Sequence, residues 1–510
     1  MLKFLLPPES TADDLARWLP YCIIPLDAPS GAEHLTIYDT FDWRLYRQLL
    51  AFMGVGQRFT LHDLAANRVL TTAVLPDPPV YVWDLPHGLL RARLDPILEV
   101  RALLPQADVV IHTTPCQALD VAGQPVARLL MQEIRPSAYP ATAPIFTLSI
   151  QPVAGQEAVV AEMAARLALV GVTAVTTDIY HTALAAAGQT PGAYSARLDI
   201  QLAPAMRADE ATKAILSYLL QVMRANEAYI LQDLDPEFLH DYRVAVRRTR
   251  SALSQIKAVF PPAELKRFRH GFKVIGRLSN RLRDLDVYLL AEEEYKRQLP
   301  DFLRGKIEPL FIYLRQQRAE ALQEVRAGLT SAEYQQIVAD WERVLAEPVD
   351  EKGATAVPRK AATPILILAR RRIYKRYQQV IRAGRTILAE EQHGQMHALR
   401  IECKKLRYLM EFFASLFPAK EMGLLIRQLK QLQNRLGDLN DLNVQQAYLL
   451  HVADKLPLRH QRNRRALVAI GWLVANLEQK KAQAKVESAA AFSQFAAAEN
   501  ARLFAQLFAP

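Results

Sequence analysis

The spacing of apolar residues changes character at about residue 205. Before it, short β-rich runs such as HLTIYDTF, PVYVWDL, ADVVIHTT and APIFTLSI stand among prolines, glycines and aspartates. A helical pattern, GQEAVVAEMAARLALVG, interrupts these runs. We therefore predict an α+β, β-rich N-terminal domain at 1–205.

Long amphipathic helical patterns dominate the chain from about residue 207 onward. They predict an all-α domain at 206–510. Breaks are expected at DLDP and FPP, where proline ends or begins a helix, and at a longer stretch rich in proline, glycine and alanine. That stretch, 347–364, is interpreted as a linker between helical halves at 206–346 and 365–510.

The two helical halves repeat each other. HDYRVAVRRTRSALSQIKAVFP at 240–261 aligns without a gap with HALRIECKKLRYLMEFFASLFP at 397–418. In the following helix, NRLRDLD at 280–286 aligns with NRLGDLN at 434–440. The repeat predicts two related helical bundles that face each other about a pseudo-twofold axis.

One side of each repeated helix is basic and the other is apolar. On a helical projection Arg243, Arg247 and Arg250 lie within roughly 80° of His240. The opposite side of the first copy holds Tyr242, Ala245, Val246, Thr249, Ala252, Leu253 and Ile256. In the second copy that side holds Leu399, Cys403, Leu406, Leu409, Met410 and Phe413. Each helix is therefore expected to bury one face and present cations on the other.

The basic face predicts an anion site, because arginine and lysine suit phosphate oxygens. Asp241 is the one acidic residue in 240–257, so the arginines would repel one another unless an anion lay among them. The candidate anion-binding residues, including cations of the following helices, are His240, Arg243, Arg247, Arg248, Arg250, Lys266, Arg269, Lys273, Arg277, His397, Arg400, Lys404, Lys405, Arg407, Arg427 and Lys430.

The net charge of the chain is concentrated in its helical part. Residues 1–205 hold 13 Lys+Arg and 19 Asp+Glu, which leaves 50 and 34, a net +16, for 206–510. Such a region attracts polyanions in general, so binding of single-stranded nucleic acid stays open beside binding of an anion without bases. Single-strand binders normally add aromatic platforms, which the first basic face lacks; Tyr408 lies near the second.

Composition also limits the other classes of function. The three cysteines are far apart and lack CxxC spacing, which argues against a disulfide framework or a cysteine metal site and fits a reducing cytoplasm. Prolines follow the first apolar residues at once, so we expect no export signal. Residues 136–156 contain several prolines and the apolar run 466–477 is too short to span a bilayer, so we expect no membrane-spanning helix. His240-Asp241 has the letters of a metal-phosphohydrolase signature, but the second copy reads His397-Ala398 and lacks the carboxylate. No metal or other cofactor is expected.

The repeated element His-x-x-Arg-x-x-x-Arg/Lys-Arg/Lys-x-Arg, followed by NRLRDLD and NRLGDLN, resembles the conserved-histidine α-helical domain, CHAD. The likeness covers about 206–510. It implies two antiparallel four-helix bundles with a basic channel between them that binds inorganic polyphosphate, often at polyphosphate granules. By position, it implies that the candidate residues above provide the contacts.

The N-terminal domain resembles a degenerate CYTH domain, a triphosphate tunnel fold, through YDTFDWRLYRQLLAF at 38–52. The family's catalysis uses an ExExK strand to hold a divalent metal and triphosphate. Lys3 can correspond to the lysine of that motif, but neither glutamate is present at the start of this chain. We therefore expect a protein that is not an enzyme. A triphosphatase in this domain is the alternative.

Overall fold

The computed structural model of the chain describes residues 2–26, 31–137, 143–256, 259–348, 358, 360–389 and 396–509. The chain forms two compact units, Met1–Ser195 and Ala196–Pro510. Most of the predicted linker at 347–364 lies outside the described residues. The predicted division at residue 205 into two functional domains stays a prediction.

The N-terminal unit is built on one antiparallel sheet with four helices. Its strands are β1 (Leu2–Leu6), β2 (Cys22–Pro25), β3 (Ala32–Asp39), β4 (Leu50–Val55), β5 (Arg58–Asp63), β6 (Arg68–Val74), β7 (Leu104–Leu119), β8 (Pro125–Pro136), β9 (Ile145–Pro152) and β10 (Thr173–Val175). Its helices are α1 (Ala12–Trp18), α2 (Leu89–Leu98), α3 (Glu157–Leu169) and α4 (Ile179–Ala186). The strand order is β10-β1-β9-β8-β7-β3-β4-β5-β6, and β2 also pairs with β7.

The helices of this unit cover the apolar faces of the sheet. Helices α1 and α3 pack on residues of β1, β8 and β9, such as Phe4 and Leu148. Helix α4 packs on β3, β4 and β7, where Tyr180 and Leu184 meet Ile37. Alternating apolar residues in the strands make these faces possible.

The run PVYVWDL is not a strand, contrary to its β-rich composition. Its residues Val82–Asp84 form a single 3-10 turn. The Asp84 carboxylate accepts hydrogen bonds from the backbone N–H groups of Val80 and Tyr81, at 3.0 and 2.8 Å. An aspartate that caps its own turn in this way competes with a strand ladder, so the chain bends here.

The C-terminal unit is helical throughout its described secondary structure. Its first half contains α5 (Ala208–Gln232), α6 (Pro236–Gln255), α7 (Pro262–Leu278), α8 (Asn280–Leu290), α9 (Glu292–Arg297), α10 (Asp301–Arg304), α11 (Glu308–Thr330) and α12 (Ala332–Ala346). Its second half contains α13 (Ile365–Ala389), α14 (Met396–Phe412), α15 (Ala419–Lys455), α16 (Gln461–Phe495) and α17 (Ala498–Phe508). The predicted fold class, a sheet-rich region followed by an all-helical region, is confirmed. No described helix is long and apolar enough to cross a membrane.

The starts of the two helical halves are paired reciprocally. The repeat offsets corresponding residues by 157 positions, and α13 begins that many residues after α5. The N–H of Ala208 donates to the carbonyl of Thr363, and the N–H of Ile365 donates to the carbonyl of Met206, both at 2.9 Å. Each bond becomes the other when the two halves are exchanged. A local pseudo-twofold axis has this property.

The repeated helices bury the faces that the sequence predicts. All seven apolar-side residues of the first copy, from Tyr242 to Ile256, are buried, as are all six of the second copy, from Leu399 to Phe413. Asp235 caps α6 by accepting from the N–H groups of Glu237 and Phe238, and Pro236 occupies the first turn. The basic faces are therefore fixed by helices with well-defined starts and apolar anchors.

We predict that Gly384→Ala destabilises the helical unit by about 1–3 kcal/mol, the usual cost of overpacking. A Cβ at this position of α13 would overlap the ring of Phe492 on α16. Urea unfolding followed by far-UV circular dichroism measures the change. Gly471→Ala on α16 is the matched control, because its Cβ meets nothing within 4 Å and should add up to about 1 kcal/mol of helix propensity. Equal effects of the two substitutions would contradict close packing of α13 on α16.

Candidate functional site

The two basic helices, α6 and α14, pack against each other, and we call this contact their crossing. Gln255 on α6 donates through Nε2 to the carbonyl of Lys405 on α14, at 3.0 Å. Arg248 donates through Nη2 to Glu411 Oε2, at 2.9 Å. Lys405 is the counterpart of Arg248 in the repeat, so the same stretch of both copies takes part. The contact between the two helices therefore involves equivalent positions of the two halves.

A cavity of about 490 Å³ opens beside this crossing. It is lined by Arg247, Arg250, Ser251, Ser254, Arg269, Lys273, Ile401, Lys404, Lys405 and Tyr408. Six of these residues carry a positive charge, four from the first half and two from the second, and none of the lining residues is acidic. We call this space the basic cavity. It unites cations from α6, α7 and α14.

Gly276 on α7 leaves space for the side chain of one of these cations, Arg250. A Cβ at Gly276 would be 2.9 Å from Nη1 of Arg250 and 3.6 Å from Val246. Glycine thus leaves room for the guanidinium of Arg250 against the α7 backbone. Glycine is needed at position 276 because the Arg250 side chain lies close to the α7 backbone, and not because the backbone there has a positive φ.

The pKa of Lys404 shows how strongly the cations of the basic cavity repel one another. Burial, followed by the like charges of Arg400, Arg247 and Arg407, lowers the pKa of Lys404 to about 8, against the opposing effect of Asp441. Arg247 belongs to the first half and Lys404 to the second, so the two copies repel each other across the crossing. An anion in the cavity would relieve this repulsion.

Arg243 and its counterpart Arg400 extend the basic surface beyond the cavity. Burial, followed by the charge of Arg247, lowers the pKa of Arg243 to about 10. Its Nη1 donates to Ser279 Oγ at 3.0 Å and to Asn280 Oδ1 at 2.9 Å.

Arg400 lies over Gly437, where a Cβ would be 3.4 Å from its Nη2, and it pairs with Asp441 at 3.5 Å. Its Nε is buried and has no hydrogen-bond partner among the described residues.

The two histidines of the repeat lie outside the basic cavity. His240 is half-buried on α6, and His397 is exposed on α14. Nδ1 of His397 shares a hydrogen bond with Asn440 Oδ1 at 2.5 Å. That bond fixes the orientation of the ring relative to α15.

Three predicted cations are engaged by carboxylates. Arg248 binds Glu411 and the carbonyl of Ala196, at 2.9 and 2.8 Å. Arg407 binds Glu411 and Gln433, at 2.9 and 2.8 Å. Lys405 lines the cavity, but its Nζ lies 2.6 Å from Glu402. Their positive charge is thus largely used within the protein.

Four further candidates are exposed on the helices that follow the repeats. Lys266 and Arg277 lie on α7, and Arg427 and Lys430 lie on α15. None of the four lines the basic cavity. The structure therefore brings six of the sixteen candidate residues together in the basic cavity. The other ten candidates do not line this cavity.

The sequence did not single out the two serines of the cavity. Ser251 and Ser254 follow Arg247 and Arg250 by four positions each and so share their helix face. That spacing is a signal that could have found them. Their hydroxyl groups can donate to an anion without adding negative charge.

Within the described residues, no three His, Cys, Asp or Glu side chains are grouped so that they could hold a metal ion.

The helical repeat with a basic crossing defines a recognised class of domain. Residues 214–450 match the CHAD domain family. A crystal structure of the CHAD domain from the plant Ricinus communis is 25% identical, covering 58% of this chain and 96% of that one, with a TM-score of 0.46. PptA from Streptomyces chartreusis is 16% identical, covering 56% of this chain and 99% of that one, with a TM-score of 0.44. No curated protein matches the chain. The match to the family, rather than the structural likeness, identifies residues 214–450 as a CHAD domain.

We predict that the amine of Lys404 titrates near pH 8 and that Arg247→Gln raises its pKa, because one of the repelling charges is removed. The pH dependence of its acetylation, followed by mass spectrometry, measures this value. Arg502→Gln, on the exposed surface of α17, is the control and should leave it unchanged. An unchanged titration in Arg247→Gln would contradict coupling between the halves.

The same pKa shift has a defined effect on stability. The folded chain releases the proton of Lys404 near pH 8, whereas an unfolded lysine keeps it until about pH 10.4. The unfolded state therefore binds more protons in this window, and the contribution of Lys404 to stability rises with pH there.

Proposed function

We propose that the chain is a non-enzymatic protein that binds inorganic polyphosphate in the basic cavity. The observation that carries the proposal is the union of six cations from both halves without a lining carboxylate; of these, within the described residues, Lys405 alone is paired, with Glu402. Arginine can hold phosphate oxygens with two parallel hydrogen bonds, and lysine adds a point charge. A chain of phosphates would also reach Arg243 and Arg400, which continue the basic surface.

The lining of the cavity favours an anion without bases over single-stranded nucleic acid. Tyr408 is the one aromatic residue among the lining residues, and it is only 6% exposed. The guanidinium of Arg407 lies over its ring, 5.2 Å from the centroid. A base has little aromatic surface on which to stack here. Nucleic-acid binding is the competing proposal for the same cations.

We also propose that the N-terminal unit is a degenerate CYTH-like domain without catalytic activity. Lys3 on β1 lies opposite Ser149 on β9 and Val175 on β10, neither of which is acidic. Burial lowers the pKa of Lys3, and Asp178 opposes that shift. A partly buried lysine beside one carboxylate is a poor seat for a divalent metal and a triphosphate. A triphosphatase in this unit is the alternative.

For the helical unit we predict that the double variant Arg250→Glu/Lys404→Glu loses at least about 100-fold in affinity for long-chain polyphosphate, roughly 2.7 kcal/mol. Charge reversal replaces two attractive contacts by repulsion and should also flatten the dependence of binding on salt. Titration at two salt concentrations measures both effects. Lys420→Glu/Arg502→Glu is the control, because it makes the same change in net charge at exposed positions that do not line the cavity.

Equal losses in the two double variants would contradict a defined cavity and indicate attraction by net charge alone. Competition then separates the two polyanions. If single-stranded DNA or RNA displaces polyphosphate from the wild-type chain at equal phosphate concentration, nucleic acid is the better ligand and the proposal is wrong.

For the N-terminal unit we predict no release of phosphate from tripolyphosphate in the presence of Mg²⁺ or Mn²⁺. The reason is that, among the described residues, Asp178 is the carboxylate that acts on Lys3, and a single carboxylate is a poor seat for the metal. Metal-dependent release that is lost in Lys3→Met would establish a triphosphatase instead.

A further inference from the structure

A second cavity, of about 660 Å³, lies between α8 and α11 of the first half and α15 of the second. Its aromatic residues are Tyr288, Tyr313, Tyr448 and His451. The rings of Tyr288 and Tyr448 stack with centroids 4.4 Å apart and planes 14° apart. Leu285, Val287 and Val444 add apolar surface. We call this space the tyrosine cavity, and its volume is in the range of sites for small organic ligands.

The charged groups of the tyrosine cavity differ from those of the basic cavity. Asp284 and Asp441 are among its lining residues. Its one arginine, Arg281, is already held by Gln317 at 2.7 Å, by Glu320 at 3.1 Å and by Glu324. The carboxylates would therefore repel a phosphate placed inside the cavity. They suit a ligand group that donates hydrogen bonds.

The pKa of Tyr288 is consistent with an acidic lining of the tyrosine cavity. Burial raises the pKa of Tyr288, and Tyr295, Tyr448, Asp284 and Asp441 raise it further. The phenol thus stays neutral and lies within electrostatic reach of both carboxylates. Flat apolar rings together with acceptors form a surface for a heterocycle that carries an amino group.

The tyrosine cavity borders two cations of the basic surface. Its lining residue Asn280 accepts a hydrogen bond from Arg243, and its lining residue Asp441 accepts one from Arg400, at 2.9 and 3.5 Å. A ligand that extended past these two residues would meet both guanidinium groups. One molecule could therefore place a base in the tyrosine cavity and its phosphates against the two arginines at the border.

We propose that the tyrosine cavity binds the amino-bearing base of a nucleoside triphosphate, whose phosphates reach Arg243 and Arg400. The base stacks on tyrosine and donates to the carboxylates, and the phosphates remain outside the acidic lining. This site does not depend on polyphosphate binding in the basic cavity. The two ligands would compete only where they share Arg243 and Arg400.

Calorimetric titration of the full chain with ATP and with inorganic tripolyphosphate tests the proposal. The variant Val444→Trp fills the tyrosine cavity from a position on α15 that is 53% exposed. We expect it to weaken ATP binding at least about 10-fold, the scale of stacking one base on an aromatic residue, and to leave tripolyphosphate binding unchanged. Leu450→Trp, on the same helix and 50% exposed, is the matched control and should affect neither ligand.

Tyr448→Ala provides a second, independent variant, because it removes one ring of the stacked pair. It should also weaken ATP more than tripolyphosphate, while circular dichroism remains that of the wild type. Affinity for ATP that is indifferent to both variants overturns the proposal, since the base then lies elsewhere.

A different class of ligand would also overturn it. If oligo(dA) loses affinity in Val444→Trp and ATP does not, the cavity takes a base of single-stranded nucleic acid. Retention of long-chain polyphosphate by the wild type and by Val444→Trp is measured in parallel. Its failure in the wild type contradicts the function proposed for the basic cavity and leaves the result for ATP interpretable.

Discussion

Repulsion among cations at the crossing of α6 and α14 is the constraint on which the rest of the helical unit depends. Lys404 faces Arg247 from the other half, and both are held there although the pKa of Lys404 falls to about 8. The apolar faces of the same helices oppose this repulsion, because residues such as Tyr242 and Leu406 are buried beneath the basic surface. Hydrophobic burial thus holds the charges in position before any anion arrives.

The two copies of the repeat resolve this repulsion differently. In the second copy Glu411 accepts from Arg407 and, across the crossing, from Arg248. The corresponding residue of the first copy is Ser254, which carries no charge and lines the basic cavity. One side of the crossing is therefore closed by internal ion pairs, whereas the other keeps its cations available. The difference between Ser254 and Glu411 thus makes the charge of this pseudo-symmetric surface one-sided.

The sequence allowed the fold class and the orientation of the repeated helices to be predicted, because a period of 3.6 residues separates buried from basic positions in α6 and α14. It could not reveal that Glu411 reaches Arg248, since the two residues are 163 positions apart and meet only where the helices cross. The room that Gly276 leaves for Arg250 depends on the same packing. The run around Val82 was wrongly expected to be β-rich, because the capping of its own turn by Asp84 outweighs side-chain preference.

The acidic and amide residues at the border of the tyrosine cavity also define where the basic surface ends. Asn280 and Asp441 occupy hydrogen-bonding groups of Arg243 and Arg400, and Asp284 lies just beyond them. A chain made only of phosphates gains nothing past this border, since it would move from cations to carboxylates. Only a ligand whose chemistry changes along its length, from phosphate to a hydrogen-bond donor, can cross it. The distribution of charge thus gives the two cavities opposite electrostatic character within one pseudo-symmetric helical scaffold.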